Sequence, residues 1–137
     1  MKFMVIVKAT KDSEAGVMPS TELLAAMGQF NAEMAAAGVI KAGEGLHSSA
    51  KGARVAYAGG KSSVSRGPFP LSNDLAAGFW IIETKSLDEA IDWMKRAPFE
   101  AGEIEIRQVL SPEDFGEALT PELREQEERL RARAAKH

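Results

Sequence analysis

Two segments of this chain are apolar on both of their alternating faces, and this property constrains the fold more than any other. In Phe3-Met4-Val5-Ile6-Val7 an extended backbone places Phe3, Val5 and Val7 on one side and Met4 and Ile6 on the other. Gly78-Phe79-Trp80-Ile81-Ile82-Glu83 repeats the pattern and is the strongest strand signal of the sequence. Strands of this kind need cover above and below. A chain of 137 residues has the size of one ordinary domain, and 45% hydrophobic with 27% charged residues places it among globular chains.

The remaining segments read as follows. Gly16 and Pro19 mark a loop, and Ser20 or Thr21 caps a helix with Glu22 in its first turn. Leu23, Met27, Phe30 and Met34 recur at helical spacing until Gly38. Val39-Ile40 opens a second strand, broken by Gly43 and Gly45 around Glu44 and closed by Leu46-His47, and Ser48 to Gly52 is a polar loop. Arg54 to Tyr57 and Ser63 to Ser65 form a hairpin through Gly59-Gly60, and the prolines of Gly67-Pro68-Phe69-Pro70 exclude regular structure. Ser86-Leu87-Asp88-Glu89 is a capping box for a helix with the stripe Leu87, Ala90, Ile91 and Met94, with Trp93 at its edge. Glu103 to Gln108 alternates as a last strand, with Ile104 and Ile106 opposite Glu105 and Arg107. Ser111-Pro112 and Thr120-Pro121 start two helical segments, the second supported by Glu125/Arg129 and Glu127/Arg131.

With the hairpin set aside, the order is βαββαβ, the ferredoxin-like pattern of the α+β class: an antiparallel sheet with both helices on one face. One helix layer covers one face of the two-sided strands, and the chain has nothing long enough to cover the other. A second copy packed sheet against sheet does so, and a homodimer is therefore expected. Residues 1–110 form the domain, and 111–137 are a helical extension of it.

Composition excludes several classes. The chain has no cysteine, which removes disulfides, thiolate metal sites and cysteine nucleophiles. A net charge of −3 argues against nucleic acid as a partner. The longest run of apolar residues and glycine, Leu75 to Ile82, is far short of the ~20 residues of a membrane span, and five apolar residues after Lys2 are too few for a signal peptide. A soluble, cytoplasmic protein is expected. One internal histidine among scattered carboxylates makes no zinc site, Gly43-Glu44-Gly45 lacks the third glycine and helix start of a phosphate loop, and no cofactor is expected.

Gly43-Glu44-Gly45-Leu46-His47, Lys51-Gly52-Ala53-Arg54-Val55, Gly67-Pro68-Phe69, Ala77 to Glu83, Ser86 to Pro98 and Ile104 to Arg107, in this order, resemble the YCII-related family, in particular its DGPF branch. The likeness covers residues 1 to about 110. It implies a dimeric α/β barrel in which two ferredoxin-like protomers pack their sheets together around a cleft. It also implies an association, in some members, with extracytoplasmic-function sigma factors. A His–Asp pair suggested for the wider family in the first helix region has no counterpart, because no histidine precedes His47. Arg66-Gly67-Pro68-Phe69 replaces the Asp-Gly-Pro-Phe of relatives, so that the turn is retained and its acid exchanged for a base.

His47, where a strand meets a loop, reads as a general base or as a backbone-capping residue. Glu44 between two glycines reads as a proton acceptor or as a residue that orients His47, or as a solvent-facing bulge. Glu105 and Arg107 share one strand face and either pair with each other or present the Arg107 fork to a substrate carboxylate or phosphate, with Arg66 adding positive potential. Phe69, Phe79, Trp80 and Tyr57 are core residues first and pocket lining second. These candidates fit a small cofactor-independent enzyme acting on a small organic acid or aromatic metabolite in the dimer cleft. The alternative is a non-catalytic module that senses a metabolite or binds a partner such as a sigma factor.

Overall fold

The computed structural model describes residues 1–136. Strands β1 (Lys2–Lys8), β2 (Ile40–Gly45), β5 (Ala76–Glu83) and β6 (Ile104–Gln108) form one antiparallel sheet in the order β2-β5-β1-β6. The two strands that are apolar on both faces thus take the two central places. Helices α2 (Thr21–Ala36) and α3 (Leu87–Met94) connect the outer strands to the inner ones. Phe30 and Met34 of α2 and Ala90 and Met94 of α3 are buried against Phe3, Val5, Trp80 and Ile82, which alternate along β1 and β5 on one face. The result is an α+β, ferredoxin-like domain.

Cross-strand registers fix what stands on the other face. Met4 lies opposite Ile81 and Arg107, and Ile6 lies opposite Phe79 and Glu105. Met4, Ile6, Phe79 and Ile81 are half-buried, yet α2 and α3 both lie on the far side of the sheet. Burial is greater where the helices stand: Phe3, Val5 and Ile82 are at most 1% exposed.

Trp80 anchors the core at the β2 edge. Its ring meets Phe30 edge-on with centroids 5.9 Å apart, and its indole N–H donates to Asn31 Oδ1 at 3.0 Å. Gly43 makes this possible, since a Cβ there would lie 2.7 Å from Trp80 Cδ1. The second strand therefore runs unbroken through Gly43 to Gly45, with a register shift near Ile40, and Leu46-His47 falls outside it.

The insert forms β3 (Ala53–Ala58) and β4 (Lys61–Arg66), a separate two-stranded hairpin. Gly59 and Gly60 both have positive φ, 58° and 75°, the pair of left-handed residues that a tight hairpin turn asks of its centre. Beyond it, the Gly67–Pro68 peptide bond is cis.

Four sequence expectations are corrected. The segment read as loop before Gly16 contains a short helix, α1 (Lys11–Glu14), closed by a reciprocal Thr10–Ser13 capping box that is easily missed because Ser replaces the usual Glu. At α3 the Ser86 hydroxyl caps Glu89 N–H, but the Glu89 carboxylate accepts from Lys85 N–H, one residue too early for a capping box. Leu87 is 46% exposed and takes no part in the buried stripe. Tyr57 is 82% exposed and is not a core residue, because its hairpin stands apart from the main sheet.

After β6, a 3-10 segment (Pro112–Ala118) precedes helix α4 (Pro121–Ala134), which buries no residue. Its Arg124 pairs with Glu113, and Arg131 pairs with Glu127 at 2.9 Å.

Candidate functional site

On the sheet face away from α2 and α3, antiparallel pairing lines up Glu44, Phe79, Ile6 and Glu105 across the four strands. The neighbouring row brings Ile81, Met4 and Arg107 together. At one end of these rows lies a concavity of about 380 Å³ whose floor is Met4, Ile6, Phe79 and Gly78. Leu46, Ala76, Asp74, Lys8 and Glu105 complete its lining. The lining comes from strands and loops alone, with an apolar base and three charged groups at the rim. A ring or short carbon chain fits the base, and the rim supplies polar contacts for its substituents.

Lys8 organises the rim. The alternation Met4, Ile6, Lys8 carries it onto this face at the end of β1, where its side chain is only 15% exposed. Its ammonium donates to the Asn73 carbonyl at 2.8 Å and lies 3.1 Å from Glu105 Oε1. Arg107 Nη1 donates to Glu105 Oε2 at 3.2 Å, with its side chain 71% exposed. The Glu105 carboxyl is held below its ordinary value, first by the hydrogen bond from Lys8 and then by that from Arg107. One carboxylate thus binds two cations, and the guanidinium keeps donors free for an anion.

Of the residues singled out from sequence, Glu105 and Arg107 come together as neighbours on this face. Glu44 is on the same face but on the opposite edge strand, three strand spacings away, or about 14 Å. His47 is exposed, one residue beyond Leu46 of the cavity wall. Arg66 ends β4 opposite Ala53 and is exposed. Phe69 lies under the Arg54 guanidinium, 4.0 Å from its ring centroid, and outside the cavity. Phe79 lines the cavity while its neighbour Trp80 is core, as alternation along a strand requires.

Sequence reasoning missed Lys8 and Asp74. The alternation of β1 already pointed to Lys8, whereas Asp74 sits in a loop and carries no periodic signal. A second cluster was also missed. Ser49 donates its N–H at 3.0 Å and its hydroxyl to the Glu14 carboxylate, and its Oγ accepts the Phe69 N–H at 2.9 Å. This clamp fastens the loop after β2 and the Gly67-Pro68-Phe69 turn to α1. Nothing local marks it, since Glu14 and Ser49 are 35 residues apart.

The sequence model of the YCII-related domain matches residues 1–113. The chain belongs to the YCII-related family. Its YCII-related domain thus spans every strand described above, and α4 lies outside the match. No curated protein matches the chain in sequence. Among solved structures, the domain is similar to 5-chloro-2-hydroxyhydroquinone dehydrochlorinase (TftG) from Burkholderia phenoliruptrix AC1100 in complex with 2,5-dihydroxybenzoquinone. That likeness has 18% identity and a TM-score of 0.41, covering 82% of this chain and 98% of that one. So loose a likeness says nothing about the chemistry of this YCII-related domain. Among the described residues, no cluster of three or more His, Asp or Glu is arranged to hold a metal, and no helix is long and apolar enough to cross a membrane.

Proposed function

We infer that the open sheet face is the floor of a cleft between two copies of this chain, where a small organic acid or aromatic metabolite is bound and transformed without a cofactor. The observation that carries this reading is the concavity above Met4, Ile6 and Phe79, with charged groups at its rim. An apolar ring on that base loses water, and its anionic substituent meets the Lys8 ammonium and the unused donors of Arg107. Proton transfer falls to Glu44 or His47, which approach from the β2 side. The homodimer supplies the missing cover for Met4, Ile6, Phe79 and Ile81.

Three measurements test this. Native mass spectrometry is expected to give about twice 14.7 kDa for the wild-type chain and a monomer for Ile6→Glu; a wild-type monomer at micromolar concentration would overturn the cleft. Titration with benzoate and with hydroquinone, followed by amide chemical shifts, is expected to perturb residues 4–8 and 74–79. Shifts confined to other surfaces would remove the ligand site. Glu44→Gln and His47→Ala are then compared with wild type for turnover of whichever compounds bind, and full activity in both excludes these two residues from the chemistry.

A second reading, a sensing or partner-binding module such as one docking on a sigma factor, is favoured by α4. That helix buries nothing, and its Leu123 and Leu130 are 49% and 54% exposed. Ligand binding at the cleft without turnover, together with capture of a protein partner that is lost on deletion of residues 120–137, would select it.

A further inference from the structure

The β3–β4 hairpin is a two-stranded sheet of its own, apart from the main sheet. Antiparallel pairing puts Val55 opposite Val64 and Tyr57 opposite Ser62, so that Ala53, Val55, Tyr57, Val64 and Arg66 share one face. The other face includes Arg54, whose guanidinium rests on Phe69 of the chain's own body. The first face therefore points outward, with Val55 48%, Val64 61% and Tyr57 82% exposed. A lone two-stranded hairpin is marginal in water, and this one leaves its apolar face uncovered. Six residues per strand at ~3.3 Å each make an arm of about 20 Å.

Charge identifies what covers it. Residues 48–66 contain Lys51, Arg54, Lys61 and Arg66 and no acid, whereas the whole chain carries −3. Among the described residues none of these four cations forms an ion pair. The open sheet face offers the complement: an apolar centre, with Glu44 and Asp74 beside it, also without ion-pair partners among the described residues, while its cations Lys8 and Arg107 are both engaged by Glu105. A basic arm with an apolar face and an apolar floor bordered by carboxylates occur in the same chain. No residue of the arm lines the concavity of its own protomer.

We propose that the β3–β4 hairpin is an exchanged arm, which crosses to a second copy of this chain, lies along the rim of its open sheet face and closes the cavity there with Tyr57. The site is then composite: the floor comes from one protomer, and an aromatic wall with a phenol hydroxyl comes from the other. The ligand class follows as a flat molecule, ring-stacked on Tyr57, with the phenol donating to or accepting from a ring substituent. This inference rests on the dimer reading above, and its test separates the two.

The test places the photo-crosslinker p-benzoylphenylalanine at position 57 and mixes this protein with unlabelled and ¹⁵N-labelled wild type. Native mass spectrometry of the same sample reads the dimer independently of the arm. The expected result is a dimer whose crosslinks join position 57 of one isotope to peptides 1–11 or 74–83 of the other. A dimer with crosslinks within one protomer, between two arms, or absent altogether overturns the exchanged arm and leaves the sheet-to-sheet cleft standing. A monomer overturns both. As a second readout, Val55→Ser/Val64→Ser is expected to weaken dimerisation at least tenfold with an unchanged melting temperature of the dissociated protomer, since both residues are exposed there. Unchanged dimer affinity would overturn the arm.

Discussion

Lys8 at the end of β1 and Glu105 near the start of β6 form an ion pair of 3.1 Å across the edge of the open sheet face, with the ammonium nearly enclosed and the carboxylate half-exposed. The ammonium also donates a hydrogen bond to the Asn73 carbonyl, so Lys8 ties the loop before β5 to the sheet. One side chain thereby shapes the cavity rim and supplies its cation.

Binding and stability are expected to separate at this pair. With Glu105 40% exposed, solvent screens the pair and it adds little to folding, so Lys8→Met shifts the melting temperature by less than ~4 °C. The same change is expected to weaken benzoate binding about tenfold, because the anion loses its ammonium partner. Glu105→Gln acts in the opposite sense: it frees Lys8 and Arg107 and raises benzoate affinity severalfold. Calorimetric titration of the three proteins checks both signs.

The acid limb follows from the lowered pKa of Glu105. A carboxyl whose folded value lies below its ordinary 4.5 adds stability that is fully present above pH 4.5 and is lost as pH falls through the folded value. The melting-temperature difference between wild type and Glu105→Gln is expected to be constant from pH 7 to about pH 5 and to shrink below pH 4.5. A difference that grows on acidification would contradict the pairing.

Gly67→Ala is expected to be among the most damaging single changes. A Cβ at this position would lie 1.6 Å from the Ser49 carbonyl oxygen, and both sides of the clash are backbone. The segment is also held by Gly67 N–H donating to the Gly52 carbonyl at 2.9 Å. A loss of about 3 kcal/mol or more is expected, read as a drop of roughly 9 °C or more in melting temperature. Ser49→Ala, which takes the acceptor from Phe69 N–H and a donor from Glu14, is expected to cost about 1–2 kcal/mol.

Asn31→Ala removes the acceptor of a Trp80 indole N–H in a residue only 5% exposed, and a loss of about 1–2 kcal/mol is expected. Gly43→Ala reaches the same indole from the other side, at 2.7 Å from Cδ1, and forces the ring off Asn31. Both variants are expected to shift the tryptophan fluorescence maximum; an unchanged spectrum and unchanged stability would sink the assignment.

Deletion of residues 120–137 is expected to leave the melting temperature within ~2 °C, because α4 buries no residue and its pairing with Glu113 is exposed. A larger loss would show that α4 packs on the domain.

The central strands were legible because alternation needs no knowledge of neighbours: Phe3, Val5 and Val7 against Met4 and Ile6, and Trp80 and Ile82 against Phe79 and Ile81, already defined two faces, and the helical stripe ending in Phe30 and Met34 named the cover for one of them. The family was legible in the ordered motifs from Gly43-Glu44-Gly45 to Ile104–Arg107. Local chemistry likewise announced the Gly59-Gly60 turn and the caps at Ser20 and Thr120. What the chain by itself could not disclose were relationships between segments far apart. Whether Glu44 meets Arg107 depends on strand order, and two strands intervene. That Lys8 joins Glu105, that Asp74 reaches the cavity wall, and that Ser49 clamps the Gly67-Pro68-Phe69 turn to Glu14 are decided by register and loop closure, which act over 20 to 97 residues of separation and leave no periodic trace in the sequence.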